Sequence, residues 1–305
     1  MRCSLRKPRA LHKGAGIQIV EPSSPFEREA LSHGLSLLRD MGLNPLYSER
    51  IFQKMGYLAG ADVLRAKELV EAFSGDDVCA IIPARGGYGA MRVLEYLEAH
   101  RHSIKPHLFM GFSDITALHM FFLVRYGLVT IHGTNAIFMA KLDRESLERT
   151  KKALFGIGWE ETFLYGGLTP IVKGVARGRV VAGNLSLLCA LFGTPYEPPL
   201  EGAILVIEEV DEPLYRIDRM LMQISLQRGF GGVRGVCFGD MGVVSDEQEA
   251  LVSLLEQFAV KWGKPCVFGF PIGHKSRNFP VPEGVMATLD ADIGVMRVLE
   301  CPYEE

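Results

Sequence analysis

Apolar residues recur along this chain with two alternating periods. Ile17-Gln18-Ile19-Val20 predicts a short strand, closed by Glu21-Pro22-Ser23-Ser24-Pro25, where two prolines force a turn. Over 26–41 the positions Phe26, Ala30, Leu31, Leu35, Leu38 and Met41 fall at helical spacing, and Gly42 stops the helix. Pro45-Leu46-Tyr47 predicts a second strand, 61–73 an amphipathic helix and 78–83 a continuous apolar strand. A helix over 90–99, a strand over 108–110, a helix over 115–126 and a strand over 128–132 follow. Strands that alternate with helices and are apolar on both faces predict an α/β fold with a parallel sheet covered on both sides.

The same alternation resumes after a helix over 144–155. Glycines and aromatics set between charges make 159–169 read as a linker, separating an N-terminal α/β domain (1–158) from a smaller C-terminal α/β domain (170–305). The second domain carries strands over 180–184, 203–207, 235–239 and 266–270, helices ending at 192 and spanning 215–228 and 247–262, and a terminal hairpin over 285–299. No repeat or low-complexity segment interrupts either half.

Bulk properties narrow the function classes. The 305 residues are 48% apolar and 23% charged with net charge −3, which leaves no basic footprint for nucleic acid or an anionic membrane. Six cysteines (3, 79, 189, 237, 266 and 301) form no C-x-x-C pair, and several sit in apolar strands, which favours a reducing compartment. The basic N-terminus, Met1 to Pro8, is followed by no apolar signal region, and no apolar run is long enough to span a bilayer, so a cytoplasmic protein is expected.

The stretch Leu108-Phe109-Met110-Gly111-Phe112-Ser113-Asp114-Ile115-Thr116 organises the candidate chemistry. A strand, a tight turn and a helix in succession match a nucleophile elbow, which aims a hydroxyl at a helix N-terminus. Gly111 fits the first glycine of G-x-S-x-G, while Ile115 replaces the second; the competing reading makes Ser113 a helix cap. Arg85-Gly86-Gly87-Tyr88-Gly89 also joins a strand to a helix. It is not a dinucleotide fingerprint, because Arg92 stands where the third glycine belongs, and no Gly-Lys-Ser/Thr follows. Both loops would open at one sheet edge, where α/β ligand sites form.

Glu208 and Glu209 end one strand of the second half, and His274 follows another. Ser113, Glu208 and His274 supply in order a nucleophile, a carboxylate and an imidazole, the three types that activate a serine hydroxyl. His100 and His102 read as surface decoration, His132 is a candidate to line the cleft, and Cys266 is a poor nucleophile at mid-strand.

Seven ordered motifs carry a family likeness: Pro22-Ser23-Ser24-Pro25, Arg85-Gly86-Gly87-Tyr88-Gly89, Gly111-Phe112-Ser113-Asp114, Gly183-Asn184-Leu185, Ile207-Glu208-Glu209, Tyr215-Arg216-Ile217-Asp218-Arg219 and Gly273-His274. Over about residues 10–300 the chain resembles the LD-carboxypeptidases (murein tetrapeptide carboxypeptidases), a family that includes microcin C self-immunity peptidases. The resemblance implies a metal- and cofactor-free serine peptidase with its active site between two domains. Ser113 would be the nucleophile, His274 the base and Glu208 its orienting group, although the family's usual Asp at the second position is Glu209 here. It further implies an oxyanion hole from the backbone N–H groups of Gly86 or Gly87 and Asp114. Arg85, Tyr88, Asn184 and Arg216 are its candidates for binding substrate. The implied substrate is the peptidoglycan tetrapeptide, losing its terminal D-alanine during cytoplasmic wall recycling, and the implied assembly is a homodimer. Two alternatives stay open: hydrolysis of a peptidyl-nucleotide antibiotic, and a non-catalytic peptide-binding protein in which Ser113 is only a cap.

Overall fold

In the computed structural model, which describes residues 4–243 and 245–304, the alternating pattern becomes two sheets. Met1, Arg2 and Cys3, at the start of the basic N-terminus, lie outside the described residues. The first sheet collects β1 (Gly16–Val20), β2 (Asn44–Leu46), β3 (Ala80–Pro83), β4 (Leu108–Gly111) and β5 (Ile131–His132). Between them run α1 (Arg28–Asp40), α2 (Asp62–Ser74), α3 (Leu94–Ala99) and α4 (Thr116–Tyr126). These five strands are parallel in the order β5-β4-β3-β1-β2. Parallel pairing puts their C-terminal ends on one edge, so the loops after β1, β3 and β4 open side by side, as the pattern predicts.

The chain continues through α5 (Arg144–Phe155), α6 (Trp159–Thr162), β6 (Leu164–Tyr165), β7 (Thr169–Val172), β8 (Val175–Asn184), α7 (Leu185–Leu191), β9 (Ala203–Glu208) and α8 (Leu214–Ser225). Then follow β10 (Gly235–Phe238), α9 (Gln248–Trp262), β11 (Cys266–Phe268), β12 (Val281–Pro282), β13 (Met286–Asp290) and β14 (Val295–Val298). The second sheet has eight strands in the order β6-β14-β13-β8-β9-β10-β11-β7. Its centre, β8 to β11, is parallel, and antiparallel strands flank it, the β13–β14 hairpin among them. The half with fewer residues therefore carries the larger sheet.

Two features depart from the expected division. The segment 159–169 is not a bare linker: Phe163 and Tyr165 are fully buried, and β6 pairs with β14. Aromatic side chains that looked like linker decoration are core anchors, and the Tyr165 hydroxyl donates to Pro280 O at 2.7 Å. Late in the chain, β12 crosses back to pair antiparallel with β5, which adds a sixth strand to the first sheet.

Helix α4 is the wedge between the halves. Residues 116–123 are buried without interruption, the signature of a helix covered on all sides. The Phe121 ring packs 5.3 Å from Tyr196, and Asn184 N–H donates to Thr116 Oγ1 at 3.0 Å. A side chain at Gly183 would begin 2.4 Å from Thr116 Cγ2, so only glycine lets β8 approach the first turn of α4 this closely. The elbow that precedes α4 thus faces the C-terminal ends of β8 and β9.

Candidate active site

Ser113 occupies the left-handed region, with φ +67°. For a residue with a side chain this conformation costs roughly 1–3 kcal/mol and persists only where its surroundings enforce it. Ser113 makes no side-chain cap bond; the N-cap position belongs to Phe112. The helix-cap alternative is therefore not realised. Gly111 is needed because a Cβ there would come within 2.8 Å of Ile115 Cγ2. The residue that replaces the second glycine of the motif is the one that demands the first.

The glycine-rich loop after β3 packs directly on this elbow. A Cβ at Gly86 would lie 3.0 Å from Ser113 Cβ, 3.1 Å from its Oγ and 3.4 Å from Asp114 N. The Asp114 side chain turns inward and laces three loops together: its Oδ2 accepts from Ser23 Oγ at 2.6 Å and from Ala90 N–H at 2.8 Å. Burial pushes the Asp114 carboxyl up to about 6, against the opposing pull of those two bonds. Beneath it, buried Glu21 accepts from the N–H groups of Ser23 and Arg85 at 2.8 and 3.0 Å. Burial raises Glu21 well above the usual carboxyl range.

From the other half, Glu208 Oε2 lies 2.9 Å from His274 Nδ1, although 66 residues separate them. Burial alone would depress the imidazole pKa. The hydrogen bond and charge of Glu208, aided by Glu209 and Asp240, outweigh it, so His274 is raised above its ordinary value. The ring is walled by Phe112, at 4.8 Å between centroids, and by Phe138, at 6.4 Å. Glu209 faces elsewhere, accepting from Asn184 Nδ2 at 2.8 Å, Ser186 N–H at 2.7 Å and Val210 N–H at 2.9 Å. The choice between the two glutamates thus falls to Glu208. Ser113 and His274 line one cleft of about 790 Å³, which also includes Arg85, Gly86 and Gly87.

Comparison with known proteins matches this layout. The model of the LD-carboxypeptidase N-terminal domain matches residues 17–133, and that of the LD-carboxypeptidase C-terminal domain matches residues 177–289. The chain belongs to the LD-carboxypeptidase family. A Streptomyces coelicolor relative is 39% identical over 299 residues, covering 96% of both chains. A Bacillus subtilis protein named "probable murein peptide carboxypeptidase" is 34% identical over 93% of this chain and 91% of its own. The murein tetrapeptide carboxypeptidase of Pseudomonas aeruginosa is 29% identical over 90% and 93%. Among solved structures, the microcin C7 self-immunity protein MccF superposes with TM-score 0.88 at 20% identity, covering 98% of this chain and all of its own, a likeness of fold.

In this LD-carboxypeptidase family member, three of the four side chains expected to bind substrate do not line the cleft. Asn184 is buried, caps α7 through Leu187 N–H and holds Glu209. Tyr88 is half exposed and packs edge-on against Tyr57 at 5.5 Å. Arg216 pairs with Glu212 at 3.1 Å on the exposed face of α8. Arg85 does line the cleft, with Nε and Nη1 donating to Gly86 O and Pro25 O. His132 lies fully buried rather than on the cleft wall, and burial lowers its pKa well below the ordinary value. Burial also pushes the Cys266 thiol up to about 12, which leaves it no thiolate for attack.

Sequence reasoning missed Phe138, Lys141 and Asp211 on the cleft wall. Asp211, at φ +58°, is the other described non-glycine residue with positive φ. Its position three residues after Glu208 was the available signal. Among the described residues, no group of three or more His, Cys, Asp and Glu side chains could hold a metal ion. No described helix is long and apolar enough to cross a membrane.

Proposed function

We propose that this chain is a serine carboxypeptidase that cleaves the bond between an L-centre and a C-terminal D-residue, releasing D-alanine from the peptidoglycan tetrapeptide. The observation that carries this reading is the strained Ser113 sharing a cleft with a His274 whose Nδ1 is held by buried Glu208. With Nδ1–H donating to Glu208, the proton of the neutral ring sits on Nδ1 and Nε2 keeps its lone pair for the serine proton.

Ser113 Oγ attacks the scissile carbonyl as His274 Nε2 takes the hydroxyl proton. The oxyanion then forms where the backbones of Gly86 and Asp114 meet beside Ser113, and each N–H donor aimed there is worth about 3–4 kcal/mol of transition-state stabilisation. The imidazolium is stabilised by Glu208 and hands its proton to the leaving amine; water then repeats the cycle on the acyl-enzyme. Phe112 and Phe138 pack against the imidazole and cover part of it. The murein substrate is supported by the names and the 29–34% identity of the B. subtilis and P. aeruginosa relatives.

Intact mass after incubation with a fluorophosphonate, on the parent, Ser113→Ala and His274→Ala, tests the chemistry. A single adduct on the parent, absent from Ser113→Ala and much slowed in His274→Ala, is expected; labelling that persists in Ser113→Ala sinks the nucleophile. Release of D-alanine from an L,D-tetrapeptide, but no cleavage of its all-L diastereomer, tests the substrate.

A further inference from the structure

The cleft holds a cation with no acidic partner. Lys141 ends the short 3-10 turn Phe138–Lys141 and lines the cleft with Ser113 and His274. Among the described residues no carboxylate pairs with it, and its ammonium lies 5.8 Å from the centroid of the Phe138 ring.

Its place within the site carries the inference. Phe138 packs against Phe112, tilted at 4.8 Å, and meets His274 edge-on at 6.4 Å. The residues just after Lys141 are tied to the loop that bears His274: Asp143 N–H donates to Ser276 O at 2.9 Å, and Asn278 N–H to Ser146 Oγ at 3.0 Å. Lys141 therefore stands on the imidazole side of Ser113. Arg85, the other cation of the cleft, belongs to the Gly86 side and is pinned there by two backbone carbonyls.

Those sides have different tasks. The Gly86–Asp114 side faces the developing oxyanion, whereas the imidazole must face the leaving amine, because it delivers the proton to it. In a carboxypeptidase the leaving group is one residue long, so its carboxylate sits just beyond that amine. A flexible four-carbon stem ending in a point charge suits this reach. We propose that Lys141, not Arg85, is the receptor for the substrate's terminal carboxylate and sets the preference for a free C-terminus. This inference rests on the carboxypeptidase reading above.

The test uses an L,D-tetrapeptide with a free C-terminus and the same peptide as its C-terminal amide. Release of D-alanine and of D-alaninamide is followed by mass spectrometry for the parent, Lys141→Met, Lys141→Arg and Lys141→Glu. Fluorophosphonate labelling of Ser113 checks the reacting groups in each variant. Lys141→Met is expected to raise KM for the free acid about tenfold to a hundredfold, with a smaller change in kcat. Lys141→Arg keeps the preference for the acid, and Lys141→Glu reverses it toward the amide. A parent that turns over the acid, with the same acid-to-amide ratio in all three variants, overturns the role of Lys141 and leaves the peptidase reading standing. A parent that releases neither product overturns both.

Discussion

Glu208 and His274 meet at 2.9 Å across the junction between β9 and the loop after β11, while the neighbouring Glu209 is turned into a set of three backbone and side-chain donors. Adjacent carboxylates thus have separate tasks, and the two can be told apart by pH.

Glu208→Gln keeps the shape but removes the charge that raises His274, while the burial that lowers it remains. On the proposed mechanism His274 must be neutral to act, so in the parent the acid limb of kcat/KM is expected above the ordinary histidine value of 6.5. In Glu208→Gln that limb moves to lower pH, and kcat falls about 10³–10⁴-fold. Glu209→Gln instead places an amide N–H against N–H donors. It is expected to lower stability by about 1–3 kcal/mol while shifting the limb far less. A pH–rate profile and a urea titration of each variant check both statements.

Strain at Ser113 is open to direct measurement. At φ +67° alanine retains the left-handed penalty of Ser113 and glycine does not. Ser113→Gly and Ser113→Ala should both be inactive. The glycine variant should be the more stable by about 1 kcal/mol, after allowance for its greater unfolded-state entropy. A glycine variant less stable than the alanine variant would show that the elbow is unstrained.

Gly86→Ala tests the wall of the site. Its Cβ would sit 3.0–3.1 Å from the Ser113 side chain, tighter than ordinary contact, at a residue whose φ does not require glycine. The elbow or the loop must then give by a few tenths of an ångström. About a hundredfold loss of kcat is expected, because misplacement of reacting groups is costly even when small. Circular dichroism and a melting curve close to those of the parent would confine the effect to the site.

Asp114 adds a stability signature. Its carboxyl is raised to about 6 in the fold, against 3.8 unperturbed, so between those values the native state binds the extra proton. Its contribution is fully present below pH 3.8 and is lost as pH rises through 6, up to about 3 kcal/mol. Asp114→Asn cannot ionise. The difference in unfolding free energy between parent and variant should therefore shift in favour of the variant between pH 4 and pH 7. A difference that is flat with pH would place the Asp114 titration elsewhere.

Much of this architecture was legible in the pattern of apolar residues. The apolar runs at 17–20 and 108–110 are strands, the run at 78–83 becomes a strand from Ala80 to Pro83, and the helical spacing over 26–41 and 61–73 yields α1 and α2 within two residues. Local burial leaves a local period, so such elements can be read without partners. The run 159–169 could not be read this way, because buried Phe163 and Tyr165 answer to β14 and to Pro280, more than a hundred residues away. β12 is two residues long and owes its existence to β5. The outward turn of Tyr88 and Arg216, the inward turn of Asn184 and the burial of His132 depend likewise on neighbours from other elements.

The sequence by itself determined the alternation of strands and helices, the glycine loop, the elbow and the presence of a serine, a carboxylate and an imidazole at strand ends. Tertiary structure alone decided which glutamate meets the imidazole. Neighbouring residues at a strand end point to opposite faces, and which face looks into the cleft is set by how β9 packs between β8 and β10. The meeting of Lys141 and His274 in one cleft was decided in the same way. Bonds from Asp143 to Ser276 and from Asn278 to Ser146 join segments about 130 residues apart and place the turn that ends at Lys141 on the imidazole side of Ser113.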